Sequence, residues 1–431
     1  MRPVESTVKK EVPISVRYCL LAFCFLLSRP IAAQTRHAPA PQDLRSLRAP
    51  DYLQLSPSGD RLVYTAAGQL WLVSTRVSGA PTPLVKGSLP TWSPDGERLA
   101  YYSEKSGARQ LWVMDISTLR AEQITRLPGG IEPGPGTRMA GWIGDPLRHS
   151  WSPDSKKIVF ASQAKIAVRS SQSASGIRPG DLKPGVPLTL APRTPVALPP
   201  AMTNQLFIVD VSTKALKQLS NDDAVYFNPA WSPDGRTIVC VSSEGRNPRT
   251  GPTNLYAIDL VTGRKTALTT DDGDKRLPSW SPDGNWIAFI GRMHSGAQTA
   301  FVIPANGGVP VNVAAEVGRS ITEFAWLPDS WSLVLLARDA ANRPIVSVPV
   351  SGTPVTSITG EKAADRRYLS AARDGTLAWA QGDGSQYGAI VLKPPSGASP
   401  RILVDLNPRL RNRKLGAQEV VRSKKLQRRP A

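Results

Sequence analysis

One pentapeptide recurs along this 431-residue chain. The intact copies are Trp92-Ser-Pro-Asp-Gly96, Trp151-Ser-Pro-Asp-Ser155, Trp231-Ser-Pro-Asp-Gly235 and Trp280-Ser-Pro-Asp-Gly284. Degenerate copies at Leu55-Ser-Pro-Ser-Gly59, Trp326-Leu-Pro-Asp-Ser330 and Ala371-Ala-Arg-Asp-Gly375 make seven. Self-similarity at a near-constant interval limits the fold more than any bulk property, because each unit must bury itself against its neighbours. The chemistry of the pentapeptide is that of a type I turn: Ser opens it, Pro fixes φ, Gly closes it. Strands on either side then form a hairpin. The Trp ahead of the turn supplies a large flat body to pack between neighbouring sheets.

A second motif follows each first one, beginning at Gln69 (QLWLVS), Gln110 (QLWVMD), Gln205 (QLFIVD), Asn254 (NLYAID), Thr299 (TAFVIP), Pro344 (PIVSVP) and Gly388 (GAIVLK). After most of them a turn leads to a short strand ending near Leu-Thr, as at Leu268-Thr269. Each unit therefore holds four strands. Units of four strands at about 40–50 residues predict an all-β, seven-bladed β-propeller of four-stranded antiparallel blades over residues 51–406. The strands at 51–55 and 401–406 are candidates to close the ring by pairing within one blade.

The pentapeptides stand 37, 59, 80, 49, 46 and 45 residues apart. The two long intervals place insertions near 126–148 and 164–203, both rich in Gly and Pro and unable to form long regular elements. The first links strand four of blade 2 to strand one of blade 3. The second links strands two and three of blade 3. In an up-and-down blade these connections fall on the same face, so one face is expected to be decorated at blade 3.

The net charge of +19 is concentrated at the ends. Residues 1–33 carry five basic and two acidic side chains, and residues 400–431 carry ten and two. The body keeps a dispersed excess, which is no phosphate-binding stripe. Residues 407–431 read as a solvated basic tail without aromatics for base stacking, so no nucleic-acid partner is expected. At the other end, the apolar run 18–27 and the small residues Ile31-Ala-Ala33 read as a signal peptide over 1–33, followed by a linker over 34–50. Export, with no stable membrane span after cleavage, follows from that reading. Cys240 is then the one cysteine of the exported chain and is expected inside a strand.

Motifs for catalysis are missing from the sequence. No Gly-x-Ser-x-Gly, His-Glu-x-x-His or phosphate loop is found. Of the three histidines, His37, His149 and His294, each is expected to be an ordinary surface residue. The Asp residues of the turns are read as hydrogen-bonded turn side chains, and Asp271-Asp-Gly-Asp274 lacks the closing Glu of a calcium loop. No cofactor, metal or catalytic residue is therefore expected. The singled-out residues are structural: Trp92, Pro94, Asp95, Gly96, Trp151, Asp154, Trp231, Asp234, Gly235, Trp280, Asp283, Gly284, Trp326 and Asp329.

The Trp-Ser-Pro-Asp-Gly turn with Gln-Leu-Trp-Val-x-Asp resembles the PD40 (WD40-like) repeat of TolB-type propellers. It also resembles the N-terminal propeller of S9, prolyl-oligopeptidase-family, serine peptidases. Seven units, and the segment Leu403-Val-Asp-Leu-Asn-Pro408 with Lys414-Leu-Gly416 and Glu419-Val-Val421, lean toward the S9 branch. In that family a hydrolase domain carries the Ser, Asp and His, and no position of this sequence matches them. The resemblance implies a non-catalytic, substrate-gating or binding propeller without its α/β-hydrolase domain. The alternative is a stand-alone TolB-like periplasmic scaffold for proteins or peptides. The expected partners are a protein or peptide ligand and a separate hydrolase or envelope protein.

Overall fold

The structure, a computed structural model, describes residues 45–132, 148–163, 204–243, 252–292, 297–339, 342–360, 364–383, 386–395 and 397–412. The signal peptide, most of the linker, the second insertion, most of the first, His37, His294 and the tail from 413 lie outside the described residues. Among the described residues, twenty-eight strands form seven antiparallel sheets of four, each sheet in chain order. These are the seven blades expected from the repeats.

Each blade is graded from buried to exposed. The second strands are near-continuous apolar runs, such as Lys157–Gln163 (KIVFASQ) and Ser332–Arg338 (SLVLLAR), because both their faces are covered. Alternate residues serve opposite seams: Ile158 and Phe160 pack with blade 2, whereas Val159 and Ala161 pack with blade 4. The core is accordingly divided among the seams. One cluster joins blades 5 and 6 through Ile290, Leu333 and Leu335, and another joins blades 7 and 1 through Leu53, Leu62, Ala378 and Ile390. The fourth strands of blades 2 to 6 are only two or three residues long and largely exposed, as in Leu216–Gln218 and Lys265–Ala267. Short charged edges of this kind resist pairing with another chain.

First strands pack on first strands of adjoining blades, so they ring the central axis. They run from one face, here the loop face, to the turn face. The pentapeptide and the third-to-fourth connections lie on the turn face. Second-to-third connections and the links between blades lie on the loop face.

Ring closure differs from the sequence expectation. Tyr52–Leu55 is the first strand of blade 1, and Arg401–Asp405 is the fourth strand of blade 7; they belong to different sheets. Every unit already supplies four strands, so no blade needs one from the other end. The closing seam is held instead by apolar packing and cross-links. Leu55 N–H donates to Ser370 Oγ at 3.0 Å, and Arg373 N–H to Pro57 O at 3.0 Å. Asn407 clamps Arg48 from both sides: its Oδ1 accepts the Arg48 N–H at 2.8 Å and its Nδ2 donates to Arg48 O at 2.6 Å. Gly388 is required there, since a Cβ would lie 2.2 Å from Arg48 O and φ is +71°.

Candidate functional site

On the turn face, the repeat residues are consumed by their own geometry. Gly96, Gly235 and Gly284 donate their N–H to Ser93 O, Ser232 O and Ser281 O at 2.9, 3.0 and 2.9 Å, closing the turns with positive φ. The serine hydroxyl donates to the turn carboxylate, at 2.5 Å for Asp154, Asp234 and Asp283, and Ser93 does so to Asp95. The same carboxylates accept a backbone N–H two residues on, at 3.0–3.1 Å. Asp329 accepts from Trp331 N and Ser332 N at 2.9 and 2.8 Å. Hydrogen bonds from Ser232 and Arg236 N–H hold the Asp234 carboxyl below its usual range. For Asp95, burial pulls the other way and the hydrogen bonds outweigh it. Among the described residues no group of His, Cys, Asp and Glu is arranged to hold a metal ion.

The turns also touch one another around the ring. The Pro57 ring lies 3.7 Å from where a Cβ on Gly96 would sit, and Pro153 and Pro233 stand likewise to Gly235 and Gly284. Where Ser replaces the closing Gly, its hydroxyl reaches back a blade. Ser155 Oγ accepts Asp95 N–H at 3.1 Å, and Ser330 Oγ accepts Asp283 N–H at 3.0 Å. Pro94 sits in the turn ahead of Ser155.

The motif tryptophans bind neighbours by more than packing. Trp92 Nε1 donates to Gln54 O at 3.3 Å, Trp151 to Thr91 O at 3.2 Å, Trp280 to Ala230 O at 3.3 Å and Trp326 to Ser279 O at 3.1 Å. Each acceptor is the residue before the equivalent position of the preceding blade. Trp231 Nε1 is buried and makes no such bond among the described residues.

The axial surface departs from regular strand geometry. Leu89, Asn228, Leu277 and Tyr368 have φ near +50 to +60° at β-bulges of the first strands of blades 2, 4, 5 and 7. Bulges re-aim side chains and gather near working surfaces. Polar side chains strap these bulges to the next blade: Asn228 Oδ1 accepts Leu277 N–H at 3.3 Å. Glu323 does the same for two, its oxygens accepting Tyr368 N–H at 3.1 Å and Leu369 N–H at 2.8 Å. Burial pushes the Glu323 carboxyl up despite those bonds. The sequence reading missed this girdle. Its signal was Leu-Pro or Asn-Pro two and three residues before a motif Trp, since Pro inside a strand marks a bulge.

The loop face holds the rest. Gln110 Oε1 accepts from Thr125 Oγ1 and Leu127 N–H at 2.8 and 3.1 Å, and Thr125 Oγ1 in turn accepts Leu111 N–H at 2.9 Å. Asn254 and Thr269 repeat the arrangement. Thus the Gln/Asn opening the second motif and the Thr closing the fourth strand are one clamp. The described flanks of the two insertions meet: Gln163 N–H donates to Glu132 O at 3.2 Å. Both insertions therefore start from the same face.

His149 corrects the expectation of a surface residue. It is 5% exposed, edge-on to the Tyr102 ring at 5.0 Å, with Nε2 2.7 Å from Thr91 Oγ1. Burial lowers its pKa to about 4. It leads directly into the two-residue first strand of blade 3, which draws it into the seam with blade 2. Cys240 is fully buried in the second strand of blade 4, and burial pushes its thiol up to about 12, which leaves it unreactive.

Residues 201–378 match the TolB beta propeller domain model, PD40. Over 205 residues the chain is 27% identical to the uncharacterized peptidase YuxL of Bacillus subtilis (strain 168), covering 43% of this chain and 28% of that protein. The acylaminoacyl peptidase of Pyrococcus horikoshii aligns with a TM-score of 0.58 at 12% identity, over 84% of this chain and 53% of that one. The β-propeller domain of the trilobed protease from Pyrococcus furiosus, described as having an open velcro topology, aligns at 0.56 and 12% identity over 84% and 99%. At such identities the structural likeness is one of fold. The chain spans about a quarter of the curated peptidase and about half of the acylaminoacyl peptidase. The matched segment lies in the second half of a ring whose seven units share the same turn, so the chain is a seven-bladed β-propeller that carries a TolB-type PD40 segment at residues 201–378.

Proposed function

We propose that this propeller is the non-catalytic, substrate-gating half of an S9 peptidase-like system in the periplasm. Peptides approach along the axis, and an α/β-hydrolase works over the loop face. That hydrolase comes from further sequence of the same polypeptide or from a separate protein. The observation that carries the reading is the 27% identity to a peptidase. The two ends of the propeller support it: Arg48 and Asn407 are clamped together on the loop face, so chain leading into or out of the blades does so there. No helix among the described residues is long and apolar enough to cross a membrane.

The test is activity-based labelling with a fluorophosphonate, on the purified chain and on native complexes captured through it. The expected result is an unlabelled propeller and a labelled companion, whose cleavage of long peptides rises when the propeller is removed. Labelling of the purified chain itself overturns the non-catalytic reading. Capture of envelope proteins without any hydrolase overturns the gating reading in favour of a stand-alone scaffold.

A further inference from the structure

A cavity of about 700 Å³ lies between blades 1 and 2 and opens on the loop face, away from the axis. Its walls come from two blades. Blade 1 gives Gly68, Val85 and Lys86. Blade 2 gives Tyr101, Tyr102 and Trp112, with Glu104, Lys105 and Arg109 from its second-to-third connection. The volume is in the range of small-ligand sites, and so is the pattern of aromatic walls with a few charged groups.

The charges are one-sided. Three cations face one acid, and that acid, Glu104, is already paired with Arg109 at 3.3 Å. Lys105 Nζ stands 5.7 Å from the centre of the Trp112 ring. Among the described residues neither Lys86 nor Lys105 has a carboxylate within ion-pair distance. Trp112 is 9% exposed, and its buried Nε1–H makes no hydrogen bond among the described residues. Most buried donors are satisfied, and this orphaned one sits at the apolar wall of the cavity.

The rim is fixed rather than loose. Ile131 N–H donates to Arg109 O at 2.6 Å, and Gly130, with φ at +83°, lies so close that a Cβ would be 2.8 Å from that oxygen. The start of the first insertion thus holds the cationic hairpin in place.

We propose that this cavity binds a carboxylate carried on a bulky apolar body. That chemistry is shared by a small arylalkanoic acid and by the C-terminal residue of a peptide. The apolar body lies against Tyr101 and Trp112, and the carboxylate meets Lys105 and Arg109. The proposal stands independently of the gating reading, since it uses neither the axis nor a hydrolase.

Calorimetric titration of the full chain tests it, with 3-phenylpropionate, 3-phenylpropionamide, and a peptide ending in Phe as free acid and as amide. The acids are expected to bind at least about tenfold more tightly than their amides. Lys105→Met, at an exposed position, is expected to weaken acid binding about tenfold and leave amide binding unchanged. Trp112→Phe is expected to weaken every probe that binds. A peptide acid tighter than the small acid identifies a C-terminus as the ligand, and the reverse identifies a small molecule. Equal affinity for acid and amide, no effect of Lys105→Met, or no binding of any probe overturns the proposal.

Discussion

The seam between blades 4 and 5 and the seam between blades 3 and 4 start from the same parts and finish differently. In the first, Trp280 Nε1 reaches Ala230 O and Asn228 straps the bulge at Leu277. In the second, the carbonyl due to Trp231 is that of Ser150, in a first strand only two residues long. The indole N–H goes without it, and Ser150 Oγ instead accepts the Trp231 backbone N–H at 3.3 Å. Asn204, where the chain returns from the second insertion, pairs in parallel with Val225 and donates to Tyr226 O at 2.8 Å. The Trp is kept where its hydrogen bond is lost. The shape of the ring therefore rests on the flat body of the side chain, and the bond is an addition that a disturbed blade can forgo.

The largest test of this contrast is acid. His149 lies on the other seam of the same irregular blade, and its folded pKa of about 4 is below the unfolded value near 6.5. Its contribution is complete above about pH 6.5, where both states are neutral. As pH falls from there toward 4, the unfolded chain takes up the proton first and stability drops, by about 3 kcal/mol in all. Urea unfolding across that range should show the drop, and His149→Gln should flatten it. An unchanged slope in the variant would remove the buried histidine from the account.

A smaller effect separates the two seams directly. Trp280→Phe strands the Ala230 carbonyl, whereas Trp231→Phe removes a donor that had no acceptor. Chemical denaturation should find the first costlier by about 1 kcal/mol. Equal losses would mean that the bond at the regular seam contributes nothing.

The smallest effect belongs to the turn face. Ser155→Gly relieves a non-glycine residue at φ +59° but gives up the hydroxyl that holds Asp95 N–H. The two terms oppose each other at about 1 kcal/mol each, so the stability should change by less than about 0.5 kcal/mol. A loss above that would show the cross-blade bond to be the stronger term.

The repeat made the blade count and the four-strand unit legible because turn chemistry and strand alternation are local. The turn Asp residues were readable for the same reason: Asp283 finds its partners within two residues. The acceptor of Trp280 lies fifty residues away in another sheet, and no local pattern reports it. The clamp of Gln110 with Thr125 had a visible signal, the pairing of motif head and Leu-Thr end within each unit, which turn chemistry alone did not interpret. His149 was misjudged because a polar residue beside a Gly/Pro-rich insertion looks solvated, whereas the short strand it precedes pulls it between two blades. The cavity beside Trp112 depends on how two blades splay, a property of the ring and of no single segment.

Each sheet consists of four consecutive strands, with none borrowed from the far end of the chain. A blade is therefore complete once its own stretch has been made. Pairing between strands never waits for the C-terminus, so the order of synthesis can be the order of assembly, blade on blade. Only the last seam, where Asn407 meets Arg48, requires the two ends to find each other, and it does so when six seams have already brought them together.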